Sequence, residues 1–100
     1  MPELATVVDA QVTGPCSLRL VFADGVVGEL SLCAVAESGG PLLAPLRDPV
    51  FFALVRVDPE AGTVVWPNGA DLDPDVLRHA VAAGLDIEAA RRALGELYSA

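Results

Sequence analysis

Ser17-Leu18-Arg19-Leu20-Val21-Phe22-Ala23-Asp24-Gly25-Val26-Val27-Gly28-Glu29-Leu30-Ser31, SLRLVFADGVVGELS at residues 17–31, sets two apolar runs about an Asp-Gly turn, and the register between them decides the fold. Side chains along a strand alternate with period two, so a slip of one residue turns all of them to the other face. A two-residue Asp-Gly loop would pair Leu18 with Ser31 and Leu20 with Glu29, mixing apolar and polar groups on one face. A three-residue loop, with a type I turn and Gly25 in the left-handed bulge position, pairs Leu18 with Leu30, Phe22 with Val26 and Arg19 with Glu29. One face then becomes apolar throughout, and this is the register expected. The rejected register sets Cys16 opposite Cys33, whereas the expected one puts them on opposite faces, so no disulfide is expected.

Working outward, residues 6–12 alternate as an upstream strand that ends at the turn Thr13-Gly14-Pro15. The third strand spans 26–32. Residues 34–45 read as a loop around a single helical turn. Asp48-Pro49 is an N-cap followed by Pro at the first helical position, opening a short turn through Phe51. Strands at 53–57 and 63–66 are joined by Asp58-Pro59-Glu60-Ala61-Gly62, a loop with the turn chemistry of the type I class. A helix over 74–83, stopped by Gly84, turns Leu77, Ala80 and Val81 inward. A further helix from an Asp86 cap carries Ile87, Ala90, Leu94, Leu97 and Tyr98 as one stripe. The fold class is α+β: a small antiparallel β-meander of four or five strands with two helices, the main one after the last strand. Residues 1–84 form a single domain, and 85–100 an amphipathic helix packed on it or on a partner.

Composition narrows the function classes. With 53% hydrophobic residues in a chain of 100, a folded domain is expected rather than disorder. Fourteen acids stand against six arginines and no lysine, a formal net charge of -8. Binding to a phosphate backbone needs clustered cations, which only Arg91-Arg92 approach, so direct nucleic-acid binding is disfavoured. The acidic surface suits a basic protein partner or simply solubility. Apolar runs are all broken before the roughly 18 residues of a spanning helix, and no basic segment leads an apolar one, so no membrane association is expected. Two cysteines fit reduced thiols in a cytoplasmic protein better than a disulfide framework.

The candidate for chemistry is Trp66-Pro67-Asn68-Gly69-Ala70-Asp71-Leu72-Asp73-Pro74-Asp75. Its three alternate aspartates open like a calcium loop, but the sixth and twelfth positions, where such a loop needs glycine and glutamate, hold Val76 and Ala82. Asp73-Pro74 fits a helix cap, Asp75 favours the helix macrodipole, and Asn68-Gly69 fits a turn. Asp71 is left to cap local backbone or face solvent. His79, the single histidine, lacks partners at ligand spacing, and no nucleophile signature or phosphate loop occurs. No catalytic, metal or cofactor residue is therefore assigned. Phe51 and Phe52 are adjacent and cannot both enter one core from an extended segment, which makes one of them a candidate anchor for a partner. The contact residues expected are Phe51 and Phe52 on this basis, and Leu94, Leu97 and Tyr98 on the apolar stripe of the last helix.

The succession Leu18-x-Leu20-x-Phe22, Asp24-Gly25, Pro45-Leu46-x-Asp48-Pro49 with Phe52, Val55-x-Val57-Asp58 and Trp66-x-Asn68-Gly69-x-Asp71-Leu72-x-Pro74 resembles domain-of-unknown-function family 2442, small bacterial α+β proteins. The resemblance covers residues 5–78, and 66–74 is its most specific part. It implies a stand-alone domain or one joined to a helix-turn-helix, and for some members an antitoxin role suggested by neighbouring genes. It implies no catalytic residues. The residues beyond 78 are too few for a helix-turn-helix. The expected function is a non-enzymatic interaction module, antitoxin-like or regulatory, with a basic protein partner or a second copy as homodimer. The alternative is a metal- or small-molecule-binding protein or enzyme using the acidic turns around Asp24, Asp71 and Asp73.

Overall fold

The computed structural model describes residues 6–38 and 40–84. In chain order the elements are β1 (Val7–Gly14), β2 (Ser17–Phe22), β3 (Val27–Ser31), α1 (Cys33–Ser38), a 3-10 turn (Ala44–Arg47), α2 (Pro49–Phe52), β4 (Arg56–Asp58), β5 (Thr63–Val65) and α3 (Pro74–Ala83). The class is α+β, and the strands are antiparallel. They divide into two sheets, β1-β2-β3 and the hairpin β4-β5, instead of forming one continuous meander.

The β2–β3 hairpin adopts the three-residue register. Leu18 faces Leu30, Arg19 faces Glu29 and Leu20 faces Gly28. Phe22 donates its N–H to Val26 (2.8 Å), Gly25 donates to Phe22 (2.9 Å), and Gly25 has φ of 92°, the left-handed value the bulge demands. Leu18, Leu20, Phe22 and Leu30 consequently share the buried face. β1 pairs Val12 with Leu18 and Ala10 with Leu20, with irregularities between Val7 and Asp9 and between Val12 and Gly14. The first keeps Val7 in the core while Val8 and Asp9 stay exposed.

Although the register is as expected, Cys16 and Cys33 are joined by a disulfide, with their Cα atoms 5.3 Å apart. The expectation of free thiols is corrected. The two-fold alternation holds only as far as the ladder, whose last pair is Ser17 with Ser31. Leu32 still lies opposite Cys16, donating its N–H to the Cys16 carbonyl at 2.7 Å, but the chain enters α1 at Cys33. From that residue the side chain follows helical geometry rather than the pleat, and the Cα spacing falls within the range a disulfide spans. The argument for a reducing compartment drawn from free thiols loses its basis.

Between the sheets, residues 33–55 are more helical than expected. α1 buries Val35 and Ala36, and the 3-10 turn buries Leu46. Asp48 caps α2 by accepting the Val50 N–H at 3.0 Å, with Pro49 at the first position. The strand expected from residue 53 begins only at Arg56, because Ala53, Leu54 and Val55 donate back to Pro49, Phe51 and Phe52 and prolong the turn. α3 runs over the expected residues, capped by Asp73 and ended by Gly84 in the left-handed conformation. It buries Val76, Leu77 and Ala80, and lays Val81 over Gly28 of β3. No described helix is long and apolar enough to cross a membrane. The helix expected from Asp86, with Leu94, Leu97 and Tyr98, lies outside the described residues.

Candidate functional site

The stretch 66–75 is built as a clamp. Trp66 donates its backbone N–H to Ala70 (2.9 Å), and Gly69, with φ of 87°, donates to Trp66 (3.0 Å). This repeats the hydrogen bonding of residues 22–26, and in both turns the residue before glycine adds an Asx bond: Asp24 Oδ1 accepts from Val26 and Asn68 Oδ1 from Ala70. The shared spacing of Asp24-Gly25 and Asn68-Gly69 is a sequence signal that foretells the second bulged turn as well as the first. Asn68 also donates through Nδ2 to the Leu42 carbonyl at 2.9 Å. The Trp66 indole N–H reaches the Phe52 carbonyl at 3.0 Å, and Thr63 Oγ1 donates to the Leu72 carbonyl at 2.6 Å. Among the described residues every buried side-chain nitrogen and oxygen has a partner, and these bonds tie the 40–54 segment to the 66–70 turn and β5 to the start of α3.

Two of the aspartate carboxylates, those of Asp73 and Asp24, are tied into the same architecture. Asp71 forms a backbone bridge with Val65, and Asp73 accepts the Asp75 N–H at 2.9 Å as the helix cap. Asp75 lies in the first turn of α3. Asp24, in the β2–β3 turn, meets the middle of α3, where Arg78 Nη2 and Nε reach its Oδ2 at 2.6 and 2.8 Å. The Arg78 hydrogen bond holds the Asp24 carboxyl below its ordinary pKa. Among the described residues no group of three or more His, Cys, Asp and Glu gathers in a way that would hold a metal ion. His79 is half-buried on α3.

Phe52 is corrected as a contact residue: it is fully buried, its ring 5.8 Å from that of Trp66 and tilted by 36°. Phe51 is half-buried and packs on the core. The residue that sequence reasoning missed is Val50, 76% exposed, with Leu54 at 52% and Leu42 at 51% on the same segment. Val50 and Leu54 are four apart across α2 and the turn that prolongs it, so they project on one side. A capped helical turn spends two large side chains on the core while it holds two others in solvent, an arrangement fitted to contact rather than to chemistry.

Residues 7–83 match the family described as Protein of unknown function (DUF2442), and the chain belongs to that family. None of the curated proteins and none of the solved structures matches it.

Proposed function

We propose that this member of the DUF2442 family is a non-enzymatic protein-interaction module, which docks a partner chain on the exposed apolar side chains of the 42–54 segment. The observation that carries the reading is Val50, 76% exposed on a helix whose cap and core contacts fix its direction. An apolar residue so held is preorganised, and little side-chain entropy is lost when a partner covers it. Net charge of -8 favours a partner with basic groups around its apolar anchor. That partner fits an antitoxin-like or regulatory role, in which the domain acts by occupying another protein.

The carboxylates of Asp24 and Asp73, two of the three aspartates in the acidic turns, are engaged with backbone N–H groups and, for Asp24, with Arg78 as well, which favours contact over chemistry. A cytoplasmic location belongs to the same reading, and it requires the Cys16–Cys33 bond to exchange with the thiol pool. Val50→Asp and Leu54→Asp test the proposal. Both substitutions sit at exposed positions, so the fold is retained by circular dichroism while affinity for the isolated partner drops by roughly tenfold or more. Unchanged affinity in both variants contradicts the assignment of the surface.

A further inference from the structure

We propose that Cys16–Cys33 is a reversible thiol-exchange site, which accepts a small-molecule thiol of the glutathione class at the Cys33 sulfur. The inference rests on the surroundings of the pair and is independent of partner docking. Cys33 is exposed, whereas Cys16 is only 9% exposed and belongs to the core. An incoming thiolate must approach along the S–S axis, so the open approach is toward Cys33, with the buried Cys16 sulfur as leaving group.

The surrounding fold does not depend on the bond. Leu32 donates to Cys16 at 2.7 Å, the ladder pairs Ser17 with Ser31, and Ala36 donates to Leu32 at 3.0 Å. Leu32, Val35 and Ala36 anchor α1 through burial on the core. Opening the bond therefore leaves the two cysteines side by side, ready to close again. The chain has no third cysteine to which the bond could migrate.

The chemistry balances with two small thiols. The first thiolate forms a bond to Cys33 Sγ while the Cys16–Cys33 bond breaks, and the electron pair departs on Cys16, which takes a proton. A second thiolate attacks the small-molecule sulfur of this mixed disulfide, releasing Cys33 as a thiolate and the small molecule as its own disulfide. Two thiols are oxidised and the protein is reduced by two electrons. The reverse sequence, from the oxidised small molecule, closes the bond.

The full-length protein is equilibrated in buffers of varied reduced to oxidised glutathione, quenched in acid, alkylated and weighed intact. The expected result is interconversion of disulfide and dithiol forms across the series, with the circular dichroism of the fold retained. In oxidised glutathione, Cys16→Ser acquires the mixed disulfide on Cys33, whereas Cys33→Ser reacts about tenfold more slowly or less, as burial of the remaining thiol requires. Peptide mapping of the briefly alkylated wild-type dithiol form gives the same order without any substitution, with Cys33 modified first. A disulfide that yields only in denaturant, loss of the fold on reduction, or equal reactivity of the two thiols overturns the proposal.

Discussion

The indole N–H of Trp66 donates to the main-chain carbonyl of Phe52 at 3.0 Å inside the core, so one side chain carries both packing and the anchorage of α2. Trp66→Phe keeps an aromatic ring and removes the donor. The Phe52 carbonyl keeps its bond from the Val55 N–H at 3.2 Å, so loss of the indole bond costs about 0.5–1.5 kcal/mol, in addition to the volume lost. Urea unfolding monitored by circular dichroism measures the cost, and a change of only a few tenths of a kcal/mol would show that the bond does not anchor the segment.

Gly28 is required by proximity rather than by a special backbone angle. A Cβ there would lie 2.5 Å from Val81 Cγ1, where β3 meets α3. Gly28→Ala destabilises by about 1–3 kcal/mol through overpacking. In the double variant with Val81→Ala part of that loss returns, giving a coupling of roughly 0.5–3 kcal/mol. Strict additivity in the cycle would mean that the helix seats elsewhere.

Asp24 and Arg78 supply a pH-dependent tie between the β2–β3 turn and α3. The carboxyl has its pKa lowered from 3.8 by Arg78, so the tie is fully present above the unfolded value and is lost as pH falls through the folded one. Wild type should exceed Asp24→Asn in melting temperature at neutral pH, and the gap should close in acid, below roughly pH 4. High salt should narrow it at neutral pH as well. A gap that persists in acid would assign the effect to something other than the ion pair.

The disulfide closes a loop with a sequence separation of 17, which corresponds to about 3 kcal/mol by the chain-entropy account. Reduction is expected to lower the unfolding free energy from urea titration by that amount, moving the midpoint down, with a slope that rises as the unfolded chain expands. A much larger loss would show that α1 depends on the bond and not on Val35 and Ala36.

Where local chemistry and periodicity agreed, the sequence was readable. The 17–31 hairpin follows from alternation plus Asp24-Gly25, and α3 from Asp73-Pro74 at one end and Gly84 at the other. α1 carried no such marker, with no acid in its first turn and no basic residue in its last, and its helicity rests on burying Val35 and Ala36. The disulfide was missed because the pleat rule was extended to Cys33, beyond the last ladder pair.

Legibility of the contact surface failed for a different reason. Phe51-Phe52 drew attention by size, but the Asp48-Pro49 cap sets the phase of the turn. At 3.6 residues per turn, positions two apart lie about 200° around the axis, so Phe52 entering the core sends Val50 into solvent. The apolar run at 53–55 likewise read as strand, although its N–H groups complete the preceding turn.

The proposed docking surface is tested most directly by native mass spectrometry of the tagged protein recovered from its own host, beside the Val50→Asp/Leu54→Asp variant. The expected result is a complex of fixed stoichiometry with a basic protein, re-formed from the purified components and lost in the variant. Recovery of the protein alone from both samples, self-association that the variant leaves intact, or a complex equally abundant with the variant would contradict it.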